Sequence, residues 1–297
     1  MATTAAPRAT LATRVRRWEG LPYWLVLPTL AFLALFFAWP MIYAFELAFR
    51  EEGRWTLEHV RTMRGDLRFG EAFGFTLLLI VVIVPVQFLL AIGMALLVNA
   101  KLRLRGLFLY VFLLPLAISD LAAGIVWSAI FTETGYLNTI LTRLGVLEFP
   151  YIWLNPLEKH QLLLAIVLAE IWRSTALITI ILVAGLQGIP RDYTEAAEVF
   201  GAGFFQRVRR VTLPMLKPAL QVALLLRIIL AFEVFATVIA IAGASTTVLA
   251  AEAWRWQEQN QNANVAAAYA SLILVLSLVS AALVLRLLRT PKAQLLR

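Results

Sequence analysis

The chain has 297 residues, 61% of them hydrophobic, and a mean hydropathy of +0.82, which excludes a soluble globular domain and fits a polytopic all-α membrane protein in contact with lipid. With no cysteine and two histidines, His59 and His160, it lacks the material for disulfides, thiol catalysis or a cysteine- or histidine-rich metal site. The net charge of +8 is not read as a nucleic-acid surface, because Lys and Arg collect between apolar runs in a pattern that describes membrane topology.

Residues 1–13 are rich in Ala, Thr and Pro and are expected to be disordered. Six apolar runs follow, at 21–47, 72–98, 107–131, 161–184, 218–241 and 263–288. Each is long enough as a helix to cross about 30 Å of hydrocarbon. The first follows Arg14, Arg16 and Arg17 but is far longer than the apolar stretch of a signal peptide, so it is read as an uncleaved helix. If the N-terminus is cytoplasmic, the inside segments carry about twice as many Lys and Arg as the outside ones, which places both ends in the cytoplasm. The expected organisation is a cytoplasmic tail at 1–20, a six-helix membrane domain at 21–288 and a second cytoplasmic tail at 289–297.

The first run contains Pro28 and is expected to end near Pro40. Segment 50–71 alternates five arginines with five acids and no apolar period, so it reads as an outside loop with a short helix and solvated charges. The second run carries Pro85 and Gln87. The third holds Pro115 and an acid at membrane depth, Asp120. Gly135-Tyr136-Leu137-Asn138 reads as an outside turn before an amphipathic segment, and Trp153-Leu154-Asn155-Pro156 ends that loop. The fourth run contains Glu170 and Arg173, and the fifth Arg227 and Glu233. The sixth opens on alanines that favour close helix packing. Trp254-Arg255-Trp256, before that last run, suits an interfacial aromatic belt first, then protein docking, then sugar contact.

Between the fourth and fifth runs lies a polar, basic loop, 185–217. Tyr193, Ala196, Ala197 and Phe200 recur at helical spacing and share a face, with Asp192, Glu195 and Glu198 on the other side. Pro190 suits a first helical position and Gly201 a stop; Pro214 and Pro218 are expected to reset the chain before the fifth run.

This loop reads Glu195-Ala196-Ala197, three residues, Gly201, nine residues, Val211, one residue, Leu213-Pro214. It resembles the cytoplasmic loop of permeases from binding-protein-dependent ABC importers, with Val211 where that pattern has Ile. Leu25-Val26-Leu27-Pro28, Trp39-Pro40, the stretch from Pro115 to Trp127, Trp153-Leu154, Trp172 and Gly185-Leu186-Gln187-Gly188-Ile189-Pro190 resemble the carbohydrate group of that family. Within it they resemble the first permease of maltose and glycerol-3-phosphate systems. Two departures are Phe200, where sugar members usually carry Asp, and Gly243-Ala244-Ser245-Thr246, where a glycine-rich turn usually ends in proline.

The resemblance implies a helix, Asp192 to Phe200, that docks on an ATPase subunit and couples its motion to the membrane, with Leu213 and Pro214 completing the coupling set. It implies a second homologous permease, two copies of a cytoplasmic ATPase subunit and an extracytoplasmic solute-binding protein as partners. ATP and Mg are expected on the ATPase subunits and no cofactor on this chain. The solute is expected to be a sugar or related polyol. Alternatives are an importer of glycerol phosphate, amino acids or polyamines, or an ion-coupled secondary transporter using intramembrane acids.

A charge at membrane depth costs at least about 2.5–3.5 kcal/mol on insertion scales, so Asp120, Glu170, Arg173, Arg227 and Glu233 each require a partner or a watery cavity and form the candidate translocation path. Glu170 and Arg173, three apart, suit a local ion pair; Arg227 and Glu233, six apart, do not share a face and must find partners elsewhere. No zinc-binding His-Glu-x-x-His, nucleophile elbow or phosphate-binding loop is present, so the chain is read as a transport subunit that does not hydrolyse ATP.

Overall fold

A computed structural model describes residues 21–100 and 103–288; the two tails expected at 1–20 and 289–297 lie outside the described residues. Five helical stretches are long and apolar enough to cross a membrane, and a sixth candidate is bent by 101° at a break. The first comprises α1 (Leu21–Leu33), a π-helical turn (Ala34–Ala38) and α2 (Trp39–Phe49). It does not end near Pro40. The Trp39 amide reaches back five residues to the Ala34 carbonyl, and this wider turn lets the helix continue where a proline ring would crowd the preceding turn. None of its most apolar stretch is buried within the chain.

A two-residue hairpin follows, β1 (Arg50–Glu51) with β2 (Arg54–Trp55), turned by Glu52 and Gly53 at positive φ. Helix α3 (Glu58–Gly65) turns His59 and Met63 inward. Helix α4 (Phe69–Asn99), at about 1.5 Å per residue, spans roughly 46 Å and keeps Pro85 inside it.

The third run is where the sequence expectation of one helix over 107–131 fails. Helix α5 (Arg105–Leu113) runs into a 3-10 turn (Leu114–Ala117) around Pro115, the chain extends at Ile118 and Ser119, and α6 (Asp120–Phe131) starts afresh. Pro115 cannot donate to the helix ladder, and Ser119 caps the new helix by accepting the Ala122 amide at 3.2 Å. Helix α7 (Tyr136–Arg143) is the amphipathic segment expected after Gly135. Its Asn138 is buried and ties down the next loop: it donates to the carbonyls of Glu133 (3.0 Å) and Tyr151 (2.8 Å) and accepts from the Tyr151 amide (3.1 Å) and the Trp153 indole (2.9 Å).

Helix α8 (Lys159–Gln187) is the central element, packed on α4, α6 and the fifth span. After α9 (Arg191–Val199), the fifth span forms from α10 (Phe204–Arg207), a π-helical turn (Val208–Thr212) and α11 (Leu213–Phe232), continuous through Pro214 and Pro218. The expected reset at those prolines is absent, because the Leu213 amide again reaches five residues back, to Val208. The span also stops short of Ile241: it breaks at Glu233 and resumes as α12 (Ala236–Ala242). Helix α13 (Leu249–Glu258) and α14 (Ala263–Leu287) complete the described chain.

The two breaks meet. Helix α12 lies on α6 so closely that a Cβ added at Gly124 would stand 2.6 Å from the Ala240 Cβ and 3.1 Å from the Thr237 Cα. At the other end of α8, a Cβ on Gly185 would sit 2.5 Å from the Ala219 Cβ, so α8 and α11 also cross at glycine. Buried apolar side chains form one cluster around α4, α6, α8 and α12, a second around α4, α8 and α11, and a third where α2, α3 and α4 meet α14.

Candidate functional site

The five charged residues singled out at membrane depth come together around the two breaks, and the partners differ from those that spacing suggests. Arg227 on α11, 1% exposed, places its Nε 2.6 Å from the Gln87 Oε1 on α4 and its Nη2 3.2 Å from the Glu170 Oε2 on α8. Glu170, fully buried, also accepts from Thr237 of α12 (2.8 Å) and from Ser174 one turn along its own helix (3.2 Å). Gln87 completes the knot by donating its amide to the Glu170 backbone carbonyl at 2.8 Å. Four elements are thereby fastened around Glu170, each buried polar group having a partner of opposite character.

Arg173 turns away from that knot. Its shortest ion pair is with Asp120, Nη1 to Oδ1 at 2.7 Å, whereas Glu170, the partner expected from helical spacing, stands 3.7 Å away. Asp120 is the first residue of α6 and half-exposed; Glu233 is the residue that ends α11. Asp120, Arg173 and Glu233 line a cavity of about 240 Å³ together with Ser174, Arg227, Leu116, Leu177 and Leu230. Sequence reasoning noted Gln87 as polar but did not include it, Ser174 or Thr237 in the path; uncharged polar residues inside an apolar run were the available signal.

The second group is the loop after α8. Helix α9 runs from Arg191 to Val199, with Pro190 as its N-cap residue, one place before the expected first helical position. Gly201 stops it as expected: at φ +77° it lets the Gly201 amide donate to Glu198 and the Ala202 amide to Ala197, a Schellman turn that leaves the chain pointing back toward the membrane. Arg207 of α10 pairs with Glu198, bracing α9 against the fifth span. Asp192, Tyr193, Glu195, Ala196 and Gly201 are exposed, Ala197 is partly covered, and Phe200 is 89% exposed beside Val199, Phe204 and Phe205. Leu213 and Pro214 lie away from this surface, at the start of α11.

A third cluster was not foreseen. Asp66, between α3 and α4, accepts from Arg255 (2.5 Å) and the Trp256 indole (2.7 Å) of α13 and from the Tyr269 hydroxyl of α14 (3.3 Å). Arg255 also pairs with buried Glu252, which accepts from Thr247 at 2.6 Å. Arg68 reaches the Ala244 carbonyl at 2.8 Å. The charges of segment 50–71 are therefore not all solvated. Of Trp254-Arg255-Trp256, Arg255 and Trp256 turn inward to Asp66, whereas Trp254 packs on Phe235 and stays exposed. Burial pulls the Asp66 carboxyl upward, but the Arg68 amide, the Trp256 indole and the Arg255 guanidinium outweigh it and hold the group below the ordinary carboxylate range.

Residues 87–290, which contain all three clusters' membrane elements from Gln87 onward, match the family described as binding-protein-dependent transport system inner membrane component. The chain belongs to this family. It is thus a multi-pass permease component of the inner membrane. It is 34% identical over 236 residues to the trehalose/maltose transport system permease of Thermococcus litoralis, an alignment covering 76% of this chain and 78% of the relative. It is 31% identical over 234 residues to the trehalose transport system permease of Mycobacterium tuberculosis, covering 76% and 74%. Among solved structures, a bacterial ABC transporter involved in the import of the acidic polysaccharide alginate shares the fold, with a TM-score of 0.81 and 24% identity over 94% of this chain and 98% of that one.

Proposed function

We propose that this chain is the permease subunit of an ABC importer that moves a sugar or related polyol across the cytoplasmic membrane, powered by ATP hydrolysed on partner subunits. Its likeness over three quarters of its length to permeases named for trehalose and maltose carries the reading. The exposed apolar edge of α9, held rigid by the Gly201 turn and the Arg207–Glu198 pair, supports the coupling role.

In this mechanism both termini are cytoplasmic, and an extracytoplasmic binding protein delivers the solute. A solved transporter of the same fold is in complex with a periplasmic protein bound to alginate pentasaccharide, in keeping with such a partner. A second, related permease completes the pore. Two ATPase subunits, carrying ATP and Mg, close on nucleotide. Asp192, Tyr193, Glu195, Ala196, Ala197, Phe200 and Gly201 receive that closure, and Leu213-Pro214 pass it into α11. Coupling requires that the contacts of α9 differ between inward- and outward-facing states. Asp120, Glu170, Arg173, Arg227 and Glu233 border or brace the solute path.

The test is uptake of labelled trehalose by the reconstituted importer together with cross-linking from Cys at position 196 or 197. Capture of the ATPase, and loss of uptake with normal membrane insertion in Gly201→Asp, are the expected results. Uptake that persists without the ATPase and collapses with an uncoupler would replace this reading by ion-coupled transport.

A further inference from the structure

The charged residues at membrane depth divide into two sets with different jobs. Glu170 and Arg227 are held by Gln87, Ser174 and Thr237 and are almost wholly buried, so their charges cancel within the protein. Asp120, Arg173 and Glu233 face the cavity of about 240 Å³, which Arg227, its charge already met by Glu170, also borders. Both acids stand at chain breaks, Asp120 where α6 begins and Glu233 where α11 ends. Non-helical backbone at membrane depth persists where it lines a wet cavity or is buried in protein, and here two such breaks border one cavity.

The wall has a definite chemical character. Leu116, Leu177 and Leu230 give an apolar side. Asp120 and Glu233 offer carboxylate oxygens to hydroxyl donors. Arg173 and Arg227 bring guanidinium groups to the same wall, and the Arg173 Nε is itself buried. An apolar face beside carboxylate acceptors matches the C–H face and hydroxyl edge of a sugar ring. The cavity is smaller than the roughly 300–1,000 Å³ of a complete small-molecule site, so it suits one ring or the end of a longer chain. Its charges do not balance. Arg173 is already paired with Asp120 at 2.7 Å and Arg227 with Glu170 at 3.2 Å, and the Glu233 side chain makes no ion pair or hydrogen bond among the described residues.

We infer that this cavity is a charge filter: it accepts an uncharged polyhydroxylated solute and turns away an acidic sugar, with Glu233 supplying the excess negative charge and Asp120 withholding Arg173 from a solute carboxylate. This rests on the sugar-permease reading and narrows it to neutral glycans. A sugar carboxylate entering the cavity would meet two carboxylates and two guanidiniums that are both already engaged, Arg173 by Asp120 and Arg227 by Glu170, in surroundings where charges are screened far less than in water.

The experiment measures direct binding of tritiated trehalose and of its mono-uronic acid analogue to the detergent-solubilised importer, without binding protein, so that only the membrane site selects. The readout is the ratio of the two affinities. The wild-type complex is expected to favour trehalose. Glu233→Gln should move the ratio toward the acid about tenfold, the effect of one unit charge about 7 Å away at an effective dielectric of about 30. Asp120→Asn should move it the same way by freeing Arg173, and Arg173→Gln the opposite way. Equal binding of both sugars by wild type, or a ratio unmoved by both acid substitutions, overturns the inference. So does wild-type protein that binds neither sugar yet transports trehalose when its binding protein is supplied. If the complete importer transports neither sugar, the sugar-permease reading itself falls; preferential binding of putrescine would likewise overturn the sugar reading.

Discussion

Arg227→Met tests the reasoning about the buried knot most directly. Methionine keeps most of the side-chain length but removes the guanidinium that donates to Gln87 at 2.6 Å and to Glu170 at 3.2 Å. Glu170 would then be a fully buried carboxylate held by Thr237 and Ser174, with Arg173 at 3.7 Å as its remaining cation. Removing one partner of a buried ion pair costs about 3–5 kcal/mol, most of it from the charge left behind. Arg173 softens this, so the expected loss is near the lower figure, about 3 kcal/mol. Adding Glu170→Gln neutralises the stranded charge while keeping its acceptor oxygen, and should recover about 2 kcal/mol, making the double variant more stable than Arg227→Met alone. Chemical denaturation of the purified protein in detergent, followed by tryptophan fluorescence, measures both. The account of the knot is refuted if Arg227→Met lies within about 0.5 kcal/mol of wild type or if the second substitution lowers stability further.

Gly124→Ala should destabilise the protein by about 1–3 kcal/mol, because its Cβ would meet Ala240 at 2.6 Å; Gly93→Ala, with nothing within 4 Å, should be neutral or stabilising by up to about 1 kcal/mol in the same denaturation assay. Asn138→Ala removes bonds to Glu133, Tyr151 and Trp153 and is expected to cost about 2–3 kcal/mol, with limited proteolysis showing new cleavage within 144–157. The depressed Asp66 carboxyl contributes stability that is whole above the unfolded value, about pH 4, and is lost as pH falls through its lower native value. The protection factors of α13 amides, with intrinsic exchange rates divided out, should therefore fall in that acid range in the wild type, and Asp66→Asn should reduce that fall.

The apolar runs, the exposed loop helix and its stop at Gly201 were legible in the sequence because each depends on local rules. A long apolar run leaves hydrocarbon as the favourable environment, three- and four-residue spacing defines a helical face, and a left-handed turn favours glycine. The need of every intramembrane charge for a partner or a cavity was legible too, since it follows from solvation alone.

Which partner each charge takes was decided only in three dimensions. Spacing paired Arg173 with Glu170, yet Asp120, 53 positions away across a chain break, approaches it more closely, and Glu170 goes to Arg227, 57 positions away. Proline shows the same division. Pro28, Pro85 and Pro218 sit inside helices, Pro40 and Pro214 follow π-helical turns, and Pro115 breaks its run. Every one of them forfeits a backbone donor, so the residue type is visible in the chain. Whether the helix survives depends on what neighbouring elements do for the carbonyls left over and on whether the chain gains by turning. At Pro115 it gains the cap at Ser119 and the close seat of α6 on α12, and the cavity edge at Asp120 is the result.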